Sequence, residues 1–276
     1  MPLPHRTRPA AALAKLVASL LVGLLALLGG LAWWSGEVPH WTLRGARMVV
    51  PERLPALRAL PSGGAQAGRV LFVGDSNTAG TRVGGAANAY PAHFAAALDG
   101  RVQVVVRAFG GATVADHLAR GLPEGAAQGS FAVAYVMLGT NDAATRGWLA
   151  PRRPVALEAY RAGLTRLAQQ LRRGGATVVI LAPPPVGTQA MAARLQPYRR
   201  AAAQVAQATG SAFLDPASAF PDPDLQGLLQ PDALHLGPEA QRLLGLWLAS
   251  VYTTSASDAG NSSTGKPSPP SASHPS

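Results

Sequence analysis

Val70-Leu71-Phe72-Val73-Gly74-Asp75-Ser76-Asn77-Thr78 is the stretch that decides how this chain is read. Four apolar residues, three of them β-branched or aromatic, run straight into Gly-Asp-Ser. That pattern predicts a buried parallel strand ending in a tight turn, with the Ser76 hydroxyl at the strand's C-terminal end. In open α/β sheets, ligands and chemistry collect at that end. A serine is a weak nucleophile unless a base takes its proton and donors stabilise the oxyanion it creates. The remaining chain therefore has to supply a base and an oxyanion hole.

Working outward, the same pattern recurs. Val102–Val106, Ala132–Leu138, Thr177–Leu181 and the shorter Ala212–Leu214 are further strand candidates. Each is a short apolar run without strict alternation, as suits strands covered on both faces. Helical stretches lie between them. In Val155–Arg173, residues Leu157, Tyr160, Leu164, Leu167 and Leu171 recur at three- and four-residue steps, with Pro154 at the start and Gly174-Gly175 at the end. Met191–Thr209 is alanine-rich and closes at Gly210, and a last helix opens at Gly237-Pro238. Strands alternating with helices predict a parallel sheet with helices on both faces.

Four segments combine turn chemistry with reactive groups: Gly74-Asp75-Ser76-Asn77, Phe109-Gly110-Gly111-Ala112-Thr113, Leu138-Gly139-Thr140-Asn141-Asp142 and Asp232-Ala233-Leu234-His235. The first three follow predicted strands, and a parallel sheet brings all four to one edge. Their residue types suit acyl transfer. Ser76 is the candidate nucleophile and His235 the candidate base. Asp232, three residues before it, is the group that would orient the imidazole. The Ser76 N–H, the Gly111 N–H and the Asn141 side-chain amide are the candidate oxyanion donors. Plainer readings stand beside each: Gly-Asp-Ser as a simple turn, Gly110-Gly111 as a tight connection, Asn141 as a helix cap, His235 as a capping or exposed histidine. His93 and His117 fall in predicted helices and read as structural.

Outside this domain the chain changes character. Residues 1–15 are basic, and Leu16–Trp34 then runs without a charge. As a helix that stretch spans about 28 Å, close to the hydrocarbon thickness of a bilayer. Residues 1–34 are therefore expected to form a leader and transmembrane anchor, with a cleaved signal peptide as the alternative. Either places the rest outside the cytoplasm, anchored to the membrane or secreted. Residues 35–68 read as a linker, broken by Pro39, Pro51, Pro55 and Pro61. Residues 69–252 form the folded domain, and the Ser/Pro-rich residues 253–276 are expected to be disordered.

Composition narrows the function. The net charge is +10, but it is not gathered on one element with interleaved aromatics, so a nucleic-acid partner is not expected. Arg152-Arg153, Arg172-Arg173 and Arg199-Arg200 read as solvated faces. Without cysteine there are no disulfides, thiolate metal sites or cysteine nucleophiles. No His pair stands at ligand spacing, so no metal is expected.

Taken together, the four segments resemble the SGNH hydrolase (GDSL esterase/lipase) superfamily, whose blocks supply Ser, Gly, Asn and an Asp-x-x-His. The matching residues are Gly74-Asp75-Ser76, Gly111, Gly139-Thr140-Asn141-Asp142 and Asp232-Ala233-Leu234-His235, and the likeness covers about residues 69–250. Ala233 stands where the family often has glycine. Gly-Asp-Ser-Asn-Thr, Met137–Asp142 and Ala182-Pro183-Pro184-Pro185 look most like the bacterial arylesterase and acyl-thioesterase branch. The resemblance implies a flavodoxin-like three-layer α/β/α fold and ester hydrolysis through an acyl-enzyme, with no metal or cofactor. Combined with the leader, it implies a small-molecule or glycan ester substrate in the envelope. An O-acyltransferase acting on envelope glycans and a non-catalytic glycan-binding module are the alternatives.

Overall fold

The computed structural model describes residues 68–121, 131–145, 153–221, 225 and 227–262. One compact unit comprises Trp41–Ala144 and Pro154–Ser276, and the architecture below belongs to it. The other, Met1–His40 with Thr145–Arg153, lies almost wholly outside the described residues, and so does the expected anchor. Among the described residues, no helix is long and apolar enough to cross a membrane.

Five parallel strands form the sheet: β1 Arg69–Gly74, β2 Gln103–Ala108, β3 Val133–Met137, β4 Thr177–Leu181 and β5 Ala212–Leu214. Their spatial order is β2-β1-β3-β4-β5, the order of flavodoxin-like sheets. The chain direction across the sheet switches between β1 and β3, the place where open α/β sheets bind their ligands. The helices are α1 Ser76–Ala79, α2 Tyr90–Ala97, α3 Val114–Arg120, α4 Thr140–Ala143, α5 Leu157–Arg173, α6 Gln189–Thr209 and α7 Pro238–Ser262.

Successive strand residues point to opposite faces, and both faces are packed. On one, Leu71, Val73, Val136 and Ile180 meet α5 and α6 through Tyr160, Leu164, Leu195 and Ala202. On the other, Val70, Phe72, Tyr135 and Val179 meet α2 and α7 through Tyr90, Phe94, Leu244 and Leu248. Phe72 stacks on Tyr135 at 4.9 Å and meets Phe94 edge-on at 5.2 Å. Such aromatic pairs add about 0.5–1.5 kcal/mol each beyond the area they bury.

Two expectations need correction. α7 runs to Ser262, so disorder does not begin at Thr253. Extending a formed helix costs little compared with starting one. Tyr252 meets Phe94 edge-on at 5.6 Å, and the Thr253 and Thr254 hydroxyls bond back to Ser250 at 2.9 and 3.0 Å. Arg199 is not on a solvated face. It is 2% exposed, donates to the Pro183 carbonyl and pairs with Asp215 at 2.5 Å. A buried guanidinium must be paired to be tolerated, and this one ties the exit of β4 to the exit of β5.

Candidate active site

The site starts where β1 stops. Gly74 has no alternative there, because a Cβ would lie 1.9 Å from the Thr78 hydroxyl oxygen. Asp75 caps the short α1, its carboxylate accepting from the Asn77 N–H at 2.9 Å. That cap turns the chain and leaves Ser76 as the first helical residue, at the sheet's C-terminal edge. Behind it, His117 Nε2 donates to the Gly74 carbonyl at 2.9 Å. Burial pushes the His117 imidazole below its ordinary range, so it serves here as a neutral donor that fixes the strand end.

His235 reaches Ser76 across 159 positions of sequence. Its Nε2 lies 2.8 Å from Ser76 Oγ, and its Nδ1 lies 2.7 Å from Asp232 Oδ2. The other oxygen, Asp232 Oδ1, accepts from the backbone N–H groups of Leu234 and His235 at 3.1 and 3.0 Å. Partial burial raises the Asp232 carboxyl, but these three N–H donors outweigh it and hold it below the usual carboxylate range. An ionised carboxylate only accepts, so the imidazole hydrogen sits on Nδ1 and Nε2 presents a lone pair to the serine hydroxyl. That geometry can draw a proton from Oγ as the oxygen attacks a carbonyl carbon.

The turn carrying His235 is held by its backbone. Gln230 N–H bonds the His235 carbonyl at 2.8 Å, Gly187 N–H bonds the Ala233 carbonyl at 2.7 Å, and Leu229 bridges Leu236. Ala233 adopts φ +54°, the left-handed region that a glycine would occupy freely. Asn77, which the sequence places in its motif without a role, and Gln241 join this turn to the serine turn. Asn77 Oδ1 accepts from the Leu236 N–H at 2.8 Å. Gln241 donates to the Asn77 carbonyl at 3.0 Å and accepts from the Tyr90 N–H at 2.8 Å. Arg82 was also missed; its Nε lies 3.5 Å from Asp232 Oδ2 with 60% of its side chain exposed.

The remaining two segments stand at the ends of β2 and β3. Gly111 has φ +79°, a conformation that favours glycine. Asn141 lies inside α4, whose N-cap is Gly139, so it is not the capping residue. Its Nδ2 donates to the Ala112 carbonyl at 2.8 Å, which joins the two segments directly. The structure thus brings Ser76, His235 and Asp232 into one chain of hydrogen bonds and ties Asn141 to the residue after Gly111. His93 and His117 lie in α2 and α3 as read from sequence. Among the described residues, no group of three or more His, Asp or Glu is placed to hold a metal ion.

Residues 72–243, more than half of the chain, match the GDSL-like Lipase/Acylhydrolase family. Similar solved structures include TesA, at 27% identity and TM-score 0.54, with 66% of this chain and 97% of that one covered. The lipase/acylhydrolase of Enterococcus faecalis is 20% identical, with TM-score 0.56 and coverage of 69% and 96%. Axe2, an acetylxylan esterase of Geobacillus stearothermophilus, is 24% identical, with TM-score 0.53 and coverage of 72% and 96%. No curated protein sequence matches the chain.

Proposed function

The chain belongs to the GDSL-like lipase/acylhydrolase family and is an ester hydrolase of that family, and from this premise we propose that it works through Ser76, His235 and Asp232. The observation that carries the proposal is the imidazole of His235, 2.8 Å from the serine oxygen on one side and 2.7 Å from the Asp232 carboxylate on the other. In the proposed reaction Ser76 Oγ attacks the ester carbonyl while His235 Nε2 takes its proton. The tetrahedral oxyanion is received by the Ser76 and Gly111 N–H groups and the Asn141 amide. As the C–O bond breaks, Nε2–H protonates the leaving alcohol and an acyl-Ser76 ester remains. Water then attacks that ester by the same route, releasing the carboxylic acid and restoring the serine.

The motifs Gly-Asp-Ser-Asn-Thr and Gly-Thr-Asn-Asp support the arylesterase and acyl-thioesterase branch. The apolar, charge-free Leu16–Trp34 supports an exported or membrane-tethered enzyme acting on a small-molecule or glycan ester of the envelope. The test is hydrolysis of short-chain p-nitrophenyl esters by the full-length protein beside Ser76→Ala and His235→Ala. Turnover that disappears in both variants is the expected result. Wild-type turnover no faster than that of the variants would overturn the assignment. Stimulation by added glycan acceptors would favour acyl transfer over hydrolysis.

A further inference from the structure

Asp142 ends the Gly139-Thr140-Asn141-Asp142 segment and has no part in the reaction as proposed. Its side chain is nonetheless completely buried. Oδ1 accepts from the Val114 N–H at 3.3 Å, while Oδ2 has no hydrogen-bond partner. Its backbone carbonyl accepts from the Val155 N–H at 2.8 Å. One residue earlier, Asn141 donates to the Ala112 carbonyl. Two successive residues at the end of β3 therefore hold two nearby points on the segment that follows Gly111. One bond orients the Asn141 amide, and the other fixes the backbone entering α3.

We propose that Asp142 is a positioning residue that locks the Ala112–Val114 backbone to the end of β3 and so sets where the Asn141 and Gly111 donors stand. This rests on the assignment of those donors to the oxyanion. The surroundings favour the protonated form of this carboxyl. The charged groups that act on it are Asp75, at the end of β1, and Asp116, on α3, and both are carboxylates. α5 and α6 present the phenols of Tyr160 and Tyr198. Arg199 of α6 is committed to Asp215 and the Pro183 carbonyl. Burial pushes the Asp142 carboxyl up to about 7, the two carboxylates add to this, and the N–H groups of Val114 and of Asp142 itself pull the other way. A wholly buried ionised carboxylate with an unpartnered oxygen would be costly, whereas the neutral acid keeps the bond to Val114 at less cost.

The test compares Asp142→Asn, which keeps the shape and an acceptor oxygen without a charge, with Asp142→Ala, which removes both. Each is measured for kcat and KM on p-nitrophenyl acetate, alone and combined with Asn141→Ala. Displacing preorganised donors by a fraction of an ångström to one ångström costs about ten- to a hundredfold in rate. Asp142→Ala is expected to lose that much in kcat with KM nearly unchanged, and Asp142→Asn to stay within about threefold of wild type. In the Asn141→Ala background, removing Asp142 is expected to cost clearly less than it does in wild type, since only the Gly111 donor is left for it to position. A kcat unchanged in Asp142→Ala, an equal loss in Asp142→Asn, or fully additive losses in the double variant would each overturn the proposal. Hydrogen exchange of the Val114 amide and of the Asn141 side-chain amide gives a readout that needs no activity. Both are expected to stay protected in wild type and Asp142→Asn and to exchange faster in Asp142→Ala; equal protection in all three overturns the proposal. If Ser76→Ala is as active as wild type, the assignment of the nucleophile fails by itself, and the exchange measurement still decides the role of Asp142.

Discussion

Asp232 stands on an irregular turn with 24% of its side chain exposed, and three N–H groups are aimed at it. Asp142 stands at the end of β3, wholly buried, with a longer bond to one oxygen and no partner for the other. The same chemical group is thus held on opposite sides of its ordinary range. The Asp232 carboxyl is pulled down by its donors in spite of partial burial, and the Asp142 carboxyl is pushed up by burial to about 7. Exposure and donors together keep a charge where a histidine must be oriented. Their scarcity removes the charge where the backbone has only to be held. One part of the site is electrostatic and the other is close-packed, and each can be broken separately.

The largest expected effect comes from neutralising the charged side. Asp232→Asn keeps the shape but presents an amide, which can force the imidazole into the wrong tautomer. A fall of about 10³–10⁴ in kcat is expected, with little change in KM. The same substitution should alter acid stability. The carboxyl is lowered on folding, so its contribution is present above the unfolded value and is lost as pH falls through the lower folded value. Thermal melts between pH 2 and 5 should therefore be flatter for Asp232→Asn than for wild type. A kcat within tenfold of wild type would show that the charge at this position matters little.

Asp142 gives the opposite sign. Its folded state holds the proton more tightly than the unfolded chain, so its stabilising contribution is complete below the ordinary 3.8 and is lost as pH rises to about 7. At 1.4 kcal/mol for each pH unit, ionising it at pH 8 costs the fold roughly 4 kcal/mol. Asp142→Asn should raise stability at pH 8 by a sizeable part of that amount and change it little at pH 4. Urea titrations at the two pH values measure the difference. An equal effect at both would mean that the buried group carries no charge penalty, and the contrast with Asp232 would collapse.

These two carboxylates also show what the sequence could and could not disclose. Apolar runs such as Val70–Val73 and Thr177–Leu181 are legible because a strand covered on both faces must be apolar throughout. Ser76, Asn141 and the Asp232–His235 pair are legible because turn chemistry at strand ends and a three-residue Asp–His spacing are local features. The sheet order is not local, and nothing in the sequence alone states that residues 159 apart will lie 2.8 Å apart. Asp142 belongs to a legible motif that assigns it no role, since burial and an orphaned oxygen arise only in the folded chain. Gln241 left a signal that went unused. It is a polar residue three before Leu244 and seven before Leu248, on the buried side of α7, where only a satisfied hydrogen-bonding role would keep it. Arg199 misled because a pair of adjacent arginines reads as surface until tertiary contacts bury one of them.

A smaller effect is expected at Ala233, whose φ of +54° strains any residue with a Cβ. Ala233→Gly removes about 1 kcal/mol of strain from the folded state but adds freedom to the unfolded chain. The net gain should be about 0.5 kcal/mol, with kcat unchanged if the Gly187 and Gln230 bonds hold the turn. A drop in kcat would show that the Cβ, which packs against Gly187, helps aim His235.

The smallest effect should come from Arg82, and it bears most directly on where the electrostatic side ends. Its guanidinium is 60% exposed and stands 3.5 Å from the oxygen that also receives His235 Nδ1. Exposed pairs of this kind contribute about 0–1 kcal/mol and weaken in salt. Arg82→Gln should therefore change kcat/KM by less than about fivefold on a neutral ester, and the difference should shrink at 1 M salt. A tenfold or larger loss that persists in salt would mean that Arg82 does more than sit beside Asp232. It would then touch the substrate itself, and the charged part of the site would extend past the carboxylate to the surface where the ester enters.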